Sequence, residues 1–268
     1  MTLLIFFILG LIVGSFLNVV IYRLELVESI FWGRSHCPRC KTTLHWYDNV
    51  PLVSFILLKG RCRYCGEKIS WQYPLVEVLT GIIFTLTAYY FFSPQVWLSW
   101  LETAIYLGLF SLLMVIAVYD FKFLKIPMLI LWLAIGWVSA GYLLLDSLNF
   151  SLMTTLWDSR FLSGLLGAIV ASSFFLLLVG ASHEKWMGWG DVYLSFLLGL
   201  TIGWPNVFWT LMLAFLGGSL VGLILVFSHK KKMNSPMPFG PFLIAALVIS
   251  IFLLQEFPGI NSYFRLIY

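Results

Sequence analysis

Long apolar runs without charged side chains constrain this chain more than any other feature. Residues 2–22 carry no charge, and a membrane-spanning helix needs about 20 such residues. Further apolar segments follow at about 74–92, 97–119, 128–146, 161–181, 187–204, 207–228 and 240–257. Only 10% of the 268 residues are charged, against about 25% in soluble domains. The sequence therefore predicts an all-α polytopic membrane protein of about eight transmembrane helices, and argues against a soluble enzyme, a disordered chain and a nucleic-acid-binding module.

The positions of the cations predict how these helices are oriented. Of the 16 Lys and Arg residues, all except Arg160 and Arg265 fall in four loops. If the chain crosses the membrane eight times, these four loops all lie on the same side of the membrane. Loops rich in Lys and Arg face the cytoplasm, so we predict both termini outside and the 23–73 loop in the cytoplasm. The first run has no preceding cation and no small-residue cleavage site after it, so we predict a retained helix rather than a cleaved signal peptide.

The four cysteines form two Cys-x-x-Cys pairs, Cys37/Cys40 and Cys62/Cys65, with 21 residues between the pairs. Four thiolates can close a tetrahedral Zn²⁺ shell with no open position for water, which favours a structural site. The spacing lies slightly beyond the usual range of about 15–20 residues. The alternatives are two disulfides or four free thiols, and the reducing cytoplasm disfavours disulfides.

These patterns divide the chain into three predicted parts. Residues 1–22 form the first transmembrane helix, 23–73 a small Cys-rich zinc domain, and 74–268 a seven-helix membrane domain. A loop of about 50 residues buries little core by itself, so a bound metal would supply the missing folding free energy.

Two aspartates lie where apolar segments meet the polar side. Asp120 ends the run 112–119, and Asp191 follows Gly188 and Gly190 at the start of a short apolar segment. Ionisable groups at membrane depth are costly and indicate functional sites. Two carboxylates at one low-dielectric site would share a proton, as an aspartic protease requires, although each could instead cap a helix or pair with Lys. The two glycines would allow unusual φ values and close approach of another backbone, which helps admit an extended peptide.

Six elements in order resemble the bacterial type IV prepilin peptidases, the membrane leader peptidases of type IV pili, type II secretion and competence systems. They are Gly14-Ser-Phe-Leu-Asn-Val-Val-Ile-Tyr-Arg-Leu24, the Cys pairs around Trp46-Tyr-Asp-Asn-Val-Pro51, Tyr73-Pro-Leu-Val-Glu77, Asp120 with Ile126-Pro127, Met187-Gly-Trp-Gly-Asp191 and Pro238-Phe-Gly-Pro-Phe242. The fifth resembles the GxGD signature that presenilin-like proteases also use. One GxGD is weak evidence, whereas six elements in order are specific.

The resemblance implies a GxGD-type aspartic endopeptidase of the bacterial inner membrane. Such enzymes cleave the basic leader of prepilins and pseudopilins after Gly, at the cytoplasmic face. Members with the Cys-rich loop usually also N-methylate the new N-terminus with S-adenosylmethionine. By motif match, Asp120 and Asp191 would be the catalytic pair, and the four cysteines the zinc ligands. A basic leader would also need acidic contacts, for which Glu25, Glu28 and Glu77 are candidates, each equally plausible as an ordinary polar residue.

Two positions depart from the family pattern. Tyr193 stands where many members have Lys, two residues after the second Asp, and Met128 stands where many have Asp or Asn after Ile-Pro. Both aspartates are present, but these changes could shift the pH optimum, rate or substrate choice. The alternatives are a peptidase without methyltransferase activity, a member that has lost peptidase activity, and a non-catalytic zinc-knuckle scaffold or transporter. A transporter would show broken helices in repeated halves, and the sequence has no internal repeat.

Overall fold

The computed structural model describes residues 1–26, 35–149, 159–185, 187–228 and 237–256. Within these ranges the chain is helical, and two isolated β-bridges are its only strand-like pairings. The helices are α1 (Thr2–Leu26), α2 (Val53–Leu57), α3 (Gln72–Phe91), α4 (Trp97–Phe123), α5 (Met128–Leu148), α6 (Arg160–Ser182), α7 (Trp189–Ile202), α8 (Val207–Phe227) and α9 (Gly240–Glu256). A 3₁₀ turn at Trp46–Asn49 precedes α2.

Each apolar segment expected from the sequence coincides with a helix, because the apolar runs decide where the helices lie. In the described part of the chain, six of them (α1, α3, α4, α5, α6 and α8) are long and apolar enough to cross a membrane. Helix α7 has 14 residues and α9 has 17. At 1.5 Å per residue they reach about 21 and 25 Å, short of the roughly 30 Å hydrocarbon core. The chain is therefore a multi-pass membrane protein, and the count of eight spans stays a prediction.

Met1–Val115 form one compact unit, in which α1 packs against α3. A Cβ at Gly10 would lie 2.7 Å from the Cα of Gly81, and a Cβ at Gly14 would lie 2.8 Å from the Cα of Glu77. Two glycines four residues apart form the small-xxx-small pattern that lets membrane helices approach closely. Close packing of α1 on α3 therefore depends on these two glycines. The predicted domain boundaries at 22 and 73 stay a prediction.

Ile116–Tyr268 form the second compact unit, and within it α7 packs closely on α6. A Cβ at Gly167 would lie 2.6 Å from the carbonyl oxygen of Gly199. The hydroxyl of Tyr142 in α5 donates to the carbonyl of Thr201 at 2.9 Å, which ties α5 to α7. These contacts fix the position of α7, the helix that carries Asp191.

Candidate active site and cysteine cluster

Asp120 lies in the last turn of α4 and is only 5% exposed. Its carboxylate accepts a hydrogen bond from the backbone N–H of Gly240, the first residue of α9. A helix N-terminus has unpaired N–H groups and a partial positive charge, so it favours a carboxylate. A Cβ at position 240 would lie 2.5 Å from Oδ2 of Asp120. Only glycine therefore fits against this carboxylate without a shift.

Asp191 lies in the first turn of α7 and is partly buried. Its Oδ2 accepts a hydrogen bond from the backbone N–H of Gly188 at 3.3 Å, so Asp191 does cap the helix. The carboxylate is also close enough to Asp120 for the two charges to interact. The structure thus brings together the two aspartates that the sequence singled out in separate motifs.

The two glycines before Asp191 have different surroundings from those expected. Gly188 has φ −92° and ψ 163°, which any residue adopts, and Gly190 is helical without a positive φ. The expected unusual φ values are therefore absent. The expected close approach is present only at Gly190, where a Cβ would lie 3.0 Å from Cδ1 of Ile126. The neighbour is thus a side chain rather than a backbone, and it belongs to the Ile126-Pro127 element that follows Asp120.

The two departures from the family pattern lie near the beginnings of α5 and α7. Tyr193 packs on Trp132 of α5, with ring centroids 5.6 Å apart. Met128 is the first residue of α5 and is exposed. Position 193 therefore contributes an aromatic contact between α5 and α7, where a Lys would contribute a charge.

The three acidic candidates for leader contacts differ in location and exposure. Glu25 is exposed near the end of α1, and Glu28 lies outside the described residues. Glu77 is 7% exposed on α3. Its Oε2 accepts the backbone N–H of Leu52 at 2.9 Å, and the carboxylate also bonds the side chain of Ser15. Glu77 therefore anchors the loop before α2 to the membrane helices.

The four cysteines form one cluster, although they come from two distant pairs. The Sγ atoms of Cys37, Cys40, Cys62 and Cys65 all lie within 4.8 Å of one another, and those of Cys37 and Cys65 are 3.9 Å apart. All four are free thiols, so the disulfide alternative is not supported. Zn–S bonds of 2.3 Å in tetrahedral geometry place sulfur atoms about 3.8 Å apart. The cluster can therefore hold one metal ion.

The two cysteine knuckles share one backbone pattern. The N–H of Lys41 donates to the carbonyl of Cys37, and the N–H of Gly66 donates to that of Cys62, both at 2.9 Å. Lys41 and Gly66 both have positive φ, 57° and 71°. Hydrogen bonds from the side chain and backbone of Thr42 lower the pKa of Cys40 to about 6, against the effect of burial. A lowered thiol pKa favours the thiolate, which is the form that binds metal.

Asp48 links the 3₁₀ turn to the second knuckle. Its carboxylate accepts Nε–H of Arg63 at 2.8 Å and the hydroxyl of Tyr64 at 3.1 Å. Burial alone would raise the pKa of Asp48, but the hydrogen bonds from Arg63, the His45 N–H and Tyr64 outweigh it and hold that pKa below its usual value. The pKa of Tyr64 is raised to about 12, mainly by burial and then by the hydrogen bond and charge of Asp48. The sequence did not single out Asp48 for this role.

Comparison with known proteins places the chain among membrane peptidases. Residues 8–91 match the family described as Bacterial Peptidase A24 N-terminal domain, and residues 107–227 match the Type IV leader peptidase family. No solved structure matches significantly.

Several similar proteins are named prepilin leader peptidase/N-methyltransferase. That of Vibrio cholerae serotype O1 is 34% identical over 268 residues, covering 93% of this chain and 96% of the relative. That of Bacillus subtilis strain 168 is 32% identical over 248 residues, covering 92% of each. That of Myxococcus xanthus is 37% identical over 225 residues and 82% of this chain, which spans 62% of the relative's length. Since matches above 30% identity cover nearly all of several relatives, the chain belongs to the type IV leader peptidase family.

Proposed function

We propose that this protein is an aspartic endopeptidase of the bacterial inner membrane that removes the basic leader of prepilins or pseudopilins. The observation that carries the proposal is the interaction of Asp120 with Asp191 at the ends of α4 and α7. Asp120 is buried and Asp191 partly buried, as a carboxylate pair that shares a proton requires. The names of the relatives support the substrate class.

In the proposed mechanism, the ionised carboxylate takes a proton from water while the protonated one polarises the scissile carbonyl. The N–H of Gly240 holds Asp120, and the N–H of Gly188 holds Asp191. Both donors are backbone groups at helix N-termini, so they orient the carboxylates without adding a titrating group. The leader is cut after Gly at the cytoplasmic face, and both termini of the enzyme lie outside.

A second activity, methylation of the new N-terminus, is proposed because the relatives are named as N-methyltransferases as well as peptidases. S-adenosylmethionine would supply the methyl group to the amine that cleavage releases. The alternative of a peptidase without this activity is distinguished by mass spectrometry of the mature product. An added methyl group that depends on the donor supports the second activity, and its absence supports peptidase activity alone.

The cysteine cluster is proposed to hold a structural Zn²⁺ ion. Four thiolates complete its shell, so no position is open for a water nucleophile. Cys37, Cys40, Cys62 and Cys65 would then stabilise the fold of the loop without taking part in peptide hydrolysis.

Cleavage of a prepilin by the wild type, Asp120→Asn and Asp191→Asn tests the proposal. Asn keeps the size of the side chain and can still accept the hydrogen bonds, but it cannot exchange a proton. Each variant should therefore lose on the order of 10²–10⁴-fold or more in rate. Glu102→Gln, at the opposite end of α4, is the control and should cleave normally.

Retention of cleavage by either Asn variant would rule out the dyad. A scaffold would keep its function in both variants. Inactivity of the folded wild type on several prepilins would instead favour a member that has lost peptidase activity, and Tyr193→Lys would then test whether the missing cation is the cause.

A further inference from the structure

A groove in the loop between α1 and α3 is lined by none of the residues of the aspartate pair or the cysteine cluster. It has a volume of about 460 Å³ and lies between α2 and the second cysteine knuckle. Both apolar and cationic side chains line it, among them Phe55, Ile56, Trp71, Lys59, Arg61 and Lys68. A site of this composition suits a molecule with both an anionic and an apolar part.

The cations of the groove are exposed, and among the described residues none of them forms an ion pair with a carboxylate. Between residues 35 and 71 the ion pairs are Arg39–Glu67 and Arg63–Asp48, which use other cations. Arg61 and Lys68 face each other across an antiparallel bridge. Like charges in directly opposed positions repel each other. An anion bound between them would remove this repulsion.

One lining residue of the groove, Trp71, lies immediately before α3. It is 76% exposed and contacts the ring of Phe55 edge-on, with centroids 5.1 Å apart. An exposed apolar stripe continues along α3 at helical spacing through Leu75, Leu79, Ile82 and Leu86. Since α3 is a candidate membrane span, this stripe faces acyl chains, and Trp favours the level of the headgroups.

We propose that the groove binds the phosphate headgroup of an anionic phospholipid from the surrounding bilayer. The phosphate lies among Lys59, Arg61 and Lys68, and the acyl chains follow the exposed stripe of α3. Such a lipid would couple the cysteine-containing loop to the membrane surface. The proposal depends on the lining of the groove and on its position at the start of α3, and it does not require peptidase activity.

Native mass spectrometry of the delipidated full-length protein in detergent tests this proposal. The protein is titrated with phosphatidylglycerol and with phosphatidylcholine of the same acyl chains. A Lys near an anionic lipid contributes about fivefold in affinity. We therefore expect Lys59→Met/Lys68→Met to weaken phosphatidylglycerol binding roughly 25-fold. The pair Arg39→Met/Lys41→Met removes two cations of the same loop outside the groove and should bind like the wild type.

Three outcomes would overturn the proposal. These are equal binding of the two lipids by the wild type, equal weakening in both double variants, and displacement of the lipid by inorganic phosphate at matching concentration. The last outcome would indicate a site for free anions. Metal content of each variant checks that the loop is folded. If the groove double variant loses its metal, Lys68→Met alone is used, and a loss of about fivefold is expected.

Discussion

At the scale of single residues, Gly240 controls the position of the Asp120 carboxylate. In Gly240→Ala the added Cβ would lie 2.5 Å from Oδ2 of Asp120, so the carboxylate must move. Displacements of about 1 Å can cost about 10²-fold in rate. We expect kcat of prepilin cleavage to fall by about this factor while KM changes little. Gly222→Ala is the control, because nothing lies within 4 Å of its Cβ position. Full activity of Gly240→Ala would show that Gly240 does not position Asp120.

Asp48 gives a prediction on pH dependence. Its pKa is lower in the folded protein than its usual value of about 4, so its contribution to stability is complete above that pH and is lost as the pH falls through the folded pKa. Asp48→Asn should destabilise the loop by roughly 1 kcal/mol. The deficit should stay constant from about pH 8 to 5. Hydrogen exchange of residues 35–71 measures it, and Glu67→Gln is the control for an exposed ion pair. A deficit that shrinks within this range would contradict the assignment.

At the scale of elements, the packing of α6 on α7 depends on glycines that face each other. In Gly167→Ala the new Cβ would lie 2.6 Å from the carbonyl oxygen of Gly199. Overpacking of this kind costs about 1–3 kcal/mol. We expect a lower thermal unfolding midpoint in detergent and slower cleavage, because α7 carries Asp191.

The matched control for this prediction is Gly180→Ala in the same helix. Nothing lies within 4 Å of a Cβ at Gly180, and replacing a helical Gly with Ala gains about 0.8–1 kcal/mol in helix propensity. Its unfolding midpoint should therefore stay the same or rise. Equal midpoints for the two variants would show that helix propensity, rather than the close approach of α6 and α7, dominates at Gly167.

At the scale of the whole molecule, the cysteine loop and the aspartate pair belong to different compact units. We expect the purified protein to contain one zinc ion per chain. Chelation should increase protease sensitivity of residues 35–71, because a metal bound by the cysteine cluster would supply much of the folding free energy of this loop. We expect the KM of prepilin cleavage to rise after chelation, while kcat is largely retained. A kcat that falls as far as in Asp191→Asn would contradict a purely structural role for the metal.

The local sequence determined much of the architecture. Each predicted apolar run coincides with a helix, although α1 and α4 continue past the charged residues Arg23 and Asp120 that end their runs. The cysteine cluster was predicted for a similar reason, since each Cys-x-x-Cys knuckle is a local turn. Its assembly into one cluster agrees with the expectation of four ligands. Asp120 and Asp191 were singled out because carboxylates at membrane depth are costly wherever the chain folds.

Only the tertiary structure decided which groups surround these residues. The contact of Gly240 with Asp120, of Gly190 with Ile126 and of Glu77 with Leu52 all join segments far apart in the chain. Gly188 and Gly190 illustrate the difference. The presence of two glycines suggested unusual φ values, but both residues have ordinary φ values. Packing against the side chain of Ile126 explains the glycine at position 190. The physical reason is that helix formation follows local apolarity and hydrogen bonding, while a close approach between two helices depends on the shapes of both surfaces.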